Sequence, residues 1–403
     1  MANSLLSPTV ITNEALRILH QKLRFVGTID RQYDSRFAQS GAKIGTSLQV
    51  RKPNQFTVSS GRTLDLQDVA EGYETINVTT QKHVDFAFDS SELTMTIDNF
   101  SERYLEPAMS VLAARMEADA LTMYKDVWNE VSDVGAAIAF KNVLQGRQKM
   151  VDDLAPEGSW SVQLNTLDNV NLVDALKGLY HDGAQVSKQY REGMVGKTAG
   201  FTFYENTHAP VHTTGTDDGT GDYLTDTPGT SQTGSSIHID TGAGTFKKGD
   251  VVTIEGVYRV HPETKESTGQ LQRFVVTSDY AGGEGDLQIS PAIVASGGGQ
   301  NVSNAAADGK KVEKLESDGS TAIGASADYT ISLAYAKEAF TFVTADLVMP
   351  KGVDFSARQV YDGISMRVVR QYDINNDLYP TRIDVFYGYK ALRPQFACRL
   401  GFN

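Results

Sequence analysis

Two histidines, His208 and His212, followed by Asp217 and Asp218, are the residues of this chain whose types best suit a zinc ion. Imidazole and carboxylate are ordinary zinc ligands, but Pro210 bars the helical i, i+4 geometry that would aim both rings at one ion. The two acids fall in a Thr- and Gly-rich stretch, so all four read as solvent-facing loop residues. Asp373-Ile374-Asn375-Asn376-Asp377 opens like a calcium loop, with Asp384 at its twelfth position. Leu378 occupies the place where the sharp turn requires glycine, Pro380 stiffens the segment, and strand patterns flank it, which leaves a turn. Gly242-Ala243-Gly244-Thr245-Phe246-Lys247 lacks the second glycine and the Lys-Ser/Thr pair of a phosphate loop. The single cysteine, Cys398, sits among Phe396, Ala397 and Leu400 and reads as a buried strand thiol with no histidine near it in sequence. No Ser-His-Asp, nucleophile-elbow or paired-carboxylate pattern stands out. The expectation is a protein with no catalytic residue, no cofactor and no metal.

Charge narrows the partners. A formal net charge of -13 and a pI near 5.0 repel phosphates and anionic lipid, which argues against dedicated DNA binding and favours solubility at high concentration. One cysteine permits no internal disulfide. Met1 through Pro8 lacks a basic segment followed by an apolar one, and no run approaches the roughly 20 apolar residues of a membrane span. The chain is therefore expected to be neither secreted nor inserted, which makes the glycosylation sequons at Asn77, Asn99 and Asn301 chance matches. At 403 residues there is room for two or three domains and a sizeable core.

The elements can be placed from periodicity. Thr12 is a candidate cap for a helix carrying Ala15, Leu16, Leu19 and Leu23 on one face, either an N-terminal arm or an ordinary docked first helix. Thr75 to Asp89 alternates almost without a break, predicting one strand of nearly 50 Å at about 3.3 Å per residue. Typical strands run ~17–20 Å. Thr46 to Lys52 is its expected partner, with Pro53, Asn54 and Ser59-Ser60-Gly61 supplying turns. Such a hairpin either reaches a neighbouring molecule or folds back on its own body. Pro107 to Val131 reads as a spine helix of about 37 Å, its stripe formed by Met109, Leu112, Met116, Ala120, Met123 and Val127.

Downstream the pattern is mixed: helix at Phe140 to Leu154, strand at Trp160 to Leu164, helix at Asp168 to Tyr180, a shorter helix near Val186 to Arg191, and strand at Phe201 to Tyr204. Thr213 through Ser236 has little to bury and reads as a linker or loop. Short strands follow at Ile237 to Ile239, Val251 to Tyr258, Leu271 to Thr277, Leu287 to Ile289 and Tyr329 to Leu333. They suggest a small all-β sandwich or barrel inserted into the main domain. Ile364 to Tyr372 and Thr381 to Leu392 alternate as a second antiparallel pair.

Several long stretches together resemble the coat proteins of Salmonella phage P-22 type podoviruses. In the main body these are Phe340 to Pro350, Asp362 to Asp377 and Arg382 to Tyr389; in the insertion they are Phe246 to Tyr258, Thr268 to Thr277 and Ile289 to Ile293. The resemblance implies an α+β, Hong Kong 97-like phage capsid fold with a long E-loop hairpin, a spine helix and an inserted small all-β barrel domain. It divides the chain into an N-terminal arm (1–41), E-loop (42–82), peripheral domain with spine helix (83–134), axial domain (135–212), inserted β-barrel (213–333) and a return to the axial and peripheral sheets (334–403).

What that family implies for function is a major capsid protein that self-assembles, as hexamers and pentamers, with scaffolding and portal proteins, into an icosahedral shell around double-stranded DNA. The shell would touch the packaged DNA only non-specifically, admit a decoration protein, involve no membrane, and be built in the bacterial host cytoplasm. The E-loop would lie over a neighbouring subunit, making Arg51, Lys52 and Arg62 its candidate interface residues. The alternative from another class is a virion-associated hydrolase or carbohydrate-binding protein with the β insertion as its binding module.

Overall fold

The computed structural model describes residues 8–34, 47–56, 58, 61–62, 66, 72–89, 105–158, 160–176, 196–216, 223–227, 230–314 and 327–402. The chain forms two compact units: Met1–Arg51, Tyr73–Leu121 and Phe340–Leu392 make the first, and Lys52–Gly72, Thr122–Ala339 and Arg393–Asn403 the second. No described helix is long and apolar enough to cross a membrane.

In the first unit, helix Pro8–Lys22 buries Ala15, Leu16, Leu19 and the following Leu23 against helix Glu106–Leu121 and strand Phe355–Tyr361. The three- and four-residue spacing puts these side chains on one face. The helix is thus docked on the chain's own body. It begins at Pro8, a turn before the expected Thr12 cap, and Thr12 is buried inside it. A sheet runs Asp30–Asp34, Phe340–Ala345, Leu378–Ala391, Ile364–Arg370, Phe355–Tyr361 in spatial order, and Thr80–Asp89 also pairs with Leu378–Ala391. The expected C-terminal antiparallel pair is there, with Arg367 opposite Asp384 and Arg370 opposite Thr381.

The single strand expected over Thr75 to Asp89 is instead two strands with different partners. Tyr73–Asn77 pairs with Ser47–Arg51, Asn77 opposite Ser47, while Thr80–Asp89 leaves the hairpin and runs along Leu378–Ala391 from Tyr387 to Leu378. The crossing is made possible at Gly388, where a Cβ would lie 2.3 Å from the Asn77 carbonyl oxygen and 2.9 Å from the Val78 Cα. Ile76 and Val78 are fully buried there with Val343 and Ala345. The described hairpin is therefore a five-residue pairing anchored on the sheet.

The helix expected from Pro107 to Val131 ends at Leu121, giving 16 residues and about 24 Å. A 3-10 turn, Thr122–Asp126, and strand Glu130–Ser132 follow. Met123 and Val127 stay buried in this changed geometry, so the apolar stripe outlasts the helix.

The second unit holds a sheet ordered Glu130–Ser132, Ala397–Phe402, Asp328–Ala336, Trp160–Leu164, Phe201–Glu205, Lys197–Thr198, with Val211–Thr213 also pairing with Asp328–Ala336. Helix Phe140–Asp152 packs on it, approaching closely because Gly146 faces Leu400 and Cys398. Helix Thr166–Leu176 starts where the Asn165 side-chain oxygen accepts the Thr166 N–H at 2.7 Å. The expected continuation to Tyr180 and the helix near residues 186–191 lie outside the described residues.

The same unit contains a closed six-stranded barrel: Tyr223–Thr225, Gly234–Asp240, Gly285–Ile293, Ser267–Val276, Val251–Val260, Lys311–Lys314 and back to the first. Its interior is filled by Ile237, Ile239, Ile254, Phe274, Leu287 and Ile289, all essentially inaccessible to solvent. Two expectations need correction. The stretch expected as a linker supplies a barrel strand, Tyr223–Thr225, whose Tyr223 and Thr225 are buried. Tyr329 to Leu333, expected in the β insertion, belongs to strand Asp328–Ala336 in the other sheet, where neighbours on both edges and both faces bury it. The strand missed from sequence, Lys311–Lys314, buries only Val312 among charged neighbours.

Candidate functional site

A group of buried ionisable side chains lies where the barrel meets the sheet of the second unit. Strand Ala397–Phe402 places Arg399 inward, completely buried, against the Glu130 carboxylate. One Arg399 guanidinium nitrogen donates to the Gly249 carbonyl at 2.7 Å, and the cation lies 5.9 Å from the centre of the Tyr124 ring. The Tyr329 hydroxyl donates to the other Glu130 oxygen at 2.8 Å. His212 extends the chain of contacts: its Nδ1 is 3.1 Å from the Tyr124 hydroxyl and its Nε2 is 2.9 Å from Asp250 Oδ1. Asp250 Oδ2 then accepts the Gly215 and Lys247 backbone N–H groups.

Burial sets the proton affinities. Desolvation pushes the Tyr124 hydroxyl up to about 12 despite the opposing charge of Arg399, and it pushes Tyr329 well up, with Glu130 adding to the shift. For Arg399 burial opposes the charge, but Glu130, the two tyrosines and Asp250 outweigh it and hold the guanidinium protonated. A second, half-buried contact joins barrel to helix: Arg259 donates to Asp153 at 2.6 Å, and the Asn129 amide donates to the other Asp153 oxygen at 2.7 Å. Arg273 donates to the Glu130 carbonyl oxygen. Each of these carboxylates is committed to a cation, a hydroxyl or an amide. The arrangement fixes the barrel on the sheet; it presents no nucleophile or base to a substrate.

His212 is therefore a buried structural residue, against the expectation of a solvent-facing loop. His208 stays apart from it, with its Nδ1 3.1 Å from the Asn206 side-chain oxygen; Asp217 and Asp218 lie outside the described residues. Asp373 holds the Asn375 N–H and the Asn376 amide in a tight turn. Asp384, at the twelfth position of the calcium-like pattern, is wholly buried under Arg367 and Arg382 and is unavailable to an ion in that loop. Gly242 packs against the face of the Tyr223 ring, as a turn glycine. Cys398 is buried and desolvation pushes its thiol up to about 12.

Arg51, Lys52 and Arg62 are all exposed. The Lys52 N–H donates to the Gly72 carbonyl at 2.8 Å, closing the segment between them. Within the second unit Gln55 touches the barrel's glycine run, because a Cβ at Gly298 would lie 2.5 Å from the Gln55 carbonyl oxygen. Phe56 and Val58 near its start are exposed. Sequence reasoning missed the Arg399–Glu130 pair; its one signal was a lone arginine inside the apolar run from Phe396 to Phe402.

A family model described as P22 coat protein, gene protein 5, matches residues 1–400. None of the curated protein sequences compared matches significantly. Among solved structures, the chain is similar to one from Mycobacterium phage Che8, at 11% identity and TM-score 0.44 over 89% of this chain and 85% of the other. The capsid structure of the cyanophage P-SCSP1u gives 11% identity and TM-score 0.47, over 93% and 86%. The mature capsid of bacteriophage PhiM1 gives 11% and 0.47, over 94% and 87%.

Proposed function

The chain belongs to the P22 coat protein family, and from that premise we propose that its hairpin is an arm through which each capsid subunit grips its neighbour. As a member of that family it is a structural capsid protein of the phage virion, one that self-assembles into the shell, and not an enzyme. The α+β body with an inserted closed barrel agrees with the Hong Kong 97-like fold expected of such subunits. Residues 42–82 act as the E-loop, 83–134 as the peripheral domain and 135–212 as the axial domain; the helix within 1–41 docks on the body of its own subunit, the insertion runs from 213 to the end of the barrel, and the returning strands begin with Asp328–Ala336. The finer partners follow from the same reading: hexamers and pentamers form around a scaffolding protein and a portal in the host cytoplasm, and the finished shell holds double-stranded DNA without reading its sequence.

The observation that supports the arm is the exposed run Arg51 to Phe56, which leaves the sheet-anchored pairing as a charged and then aromatic segment. Arg51, Lys52 and Arg62 supply ion pairs across the contact, each worth only ~0–1 kcal/mol, so adhesion comes from area repeated over many copies. The test is electron microscopy and sedimentation of the full chain expressed with a scaffolding protein. Uniform closed shells are expected, and a chain lacking residues 53–71 should stay soluble without closing shells. Normal shells from that deletion would overturn the arm, and a strictly monomeric, catalytically active product would favour the hydrolase or carbohydrate-binding reading.

A further inference from the structure

The outer wall of the barrel carries a group of side chains that the buried network does not use. Strand Gly234–Asp240 turns Ile237 and Ile239 into the barrel core, so the alternation points His238 outward. Asp286 stands directly opposite it in the antiparallel register, with its Oδ1 2.7 Å from His238 Nδ1. On the other flank the Asp226 N–H donates to the His238 carbonyl at 3.0 Å, which fixes Asp226 beside the same residue. Glu284 completes the group from the turn that leads into strand Gly285–Ile293, its Oε1 3.6 Å from His238 Nε2. One donor atom each from Asp226, His238 and Glu284 lie within 4.8 Å of one another.

We propose that Asp226, His238 and Glu284 form a binding site for one divalent transition-metal ion, with Asp286 as the residue that orients the imidazole. The carboxylate of Asp286 is placed to hold the proton on Nδ1, which leaves the Nε2 lone pair on the side of Glu284, free for an ion. A ligating histidine tied through its other nitrogen to a carboxylate is the usual arrangement in metal sites. Ligand atoms around a tetrahedral zinc sit about 3.4 Å apart, given metal–ligand bonds of about 2.0–2.1 Å. Closing from the present spacing needs only side-chain rotation of the exposed Glu284 and the half-buried Asp226 and His238.

Two further features favour an ion over a simple surface charge pair. Three carboxylates surround one imidazole, and among the described residues no lysine or arginine pairs with any of them. A single imidazolium cannot balance that charge. The backbone is also held rigid: the three strands lie side by side in a closed barrel over buried Ile237, Ile239, Leu287 and Ile289, and the turn before Glu284 is pinned by the Tyr280 hydroxyl on the Gly283 carbonyl and the Tyr223 hydroxyl on the Gly283 N–H. One imidazole with carboxylates selects zinc, nickel or copper over the hard ions magnesium and calcium, which prefer all-oxygen sites.

The test is calorimetric titration of the full chain with zinc chloride, repeated with nickel chloride, alongside a thermal melt. One saturable ion per chain and a higher melting temperature are expected, with no displacement by millimolar magnesium or calcium. His238→Gln should abolish the saturable event and the thermal shift, and Asp286→Asn should weaken binding about tenfold through loss of the oriented ring. Because Asp286 is exposed and His238 half-buried on the outer face of the barrel, outside its core, circular dichroism of the variants should match the parent without metal. Absence of saturable binding, or binding unchanged in His238→Gln, would overturn the site.

Discussion

Arg399 and Glu130 form an ion pair with both side chains essentially inaccessible to solvent; Tyr329 donates to the second Glu130 oxygen and Gly249 accepts from a second Arg399 nitrogen, while the Arg399 Nε is buried without a hydrogen-bond partner. Two charges taken out of water repay their desolvation only while they are matched. Arg399→Met should therefore leave Glu130 buried without its cation and lower stability by roughly 3–5 kcal/mol. The double variant Arg399→Met, Glu130→Met should recover much of that loss. Urea titration of the unassembled subunit checks both, and equal stability of the single variant and the parent would show that the pair carries no such dependence.

Glu117 gives a second testable contact, in the first unit. Its carboxylate accepts the backbone N–H groups of Arg24, Phe25 and Val26, each at 2.9 Å, and so caps the short helix Phe25–Thr28 from another element. A buried donor left without an acceptor costs about 1–3 kcal/mol. Glu117→Ala should lower stability by at least ~2 kcal/mol on that basis and speed hydrogen exchange at Phe25 and Val26. Retained protection at those two amides would argue that another group takes over the cap.

These two contacts mark where sequence reading stops. The first helix, the barrel strands Val251–Val260 and Gly285–Ile293, and the pair Ile364–Arg370 with Leu378–Ala391 were legible because a regular apolar period reports which face is buried. Period alone does not report the partner. Thr75 to Asp89 alternates identically whether it pairs with one strand or changes partner at Val78, and only Gly388, more than 300 residues later, permits the change. Arg399 with Glu130, and His212 with Asp250, are likewise joined across long sequence separations. The metal-ligand group was invisible for the same reason: Asp226, His238 and Glu284 match no spacing motif and converge only because their strands are neighbours in the barrel.

Cys398 is fully buried, and desolvation pushes its thiol up to about 12, so almost no thiolate exists at neutral pH. A colorimetric disulfide reagent should leave the native subunit unlabelled over an hour and react stoichiometrically in denaturant. Fast labelling of the folded chain would show that the strand Ala397–Phe402 opens.

Asp168 is buried at the start of helix Thr166–Leu176, where the Ser332 hydroxyl donates to one of its oxygens at 2.5 Å. Desolvation raises its proton affinity, and the Ser332 hydrogen bond only partly offsets this. The folded form thus holds the proton more tightly than the unfolded chain, whose carboxyl titrates near about 3.9. Stability from this group is fully present below that value and is lost as pH rises through the higher folded value. Asp168→Asn, which imitates the protonated acid, should gain stability relative to the parent as pH climbs from about 4 toward neutrality. Paired denaturation curves at several pH values read this directly, and a constant difference between the two proteins would place the titration elsewhere.

Gly388 sits beneath the crossing between the hairpin and the sheet, with the Asn77 carbonyl oxygen 2.3 Å and the Val78 Cα 2.9 Å from where a Cβ would stand. Both obstacles are backbone, so neither can swing aside as the end of a flexible side chain would. Gly388→Ala should force the Asn77 to Thr80 segment outward and destabilise the subunit by about 1–3 kcal/mol, as overpacking generally does. Because Ile76 and Val78 anchor the hairpin through this crossing, the displacement should also redirect the exposed segment from Arg51 to Phe56 and reduce the yield of closed shells more than the loss of stability alone would. Gly27→Ala is the matched control: nothing lies within 4 Å of its Cβ position, and alanine in that short helix should be neutral or slightly stabilising. Shell yield measured at a temperature where both variants are fully folded separates the two effects, and equal yields would detach the hairpin's aim from assembly.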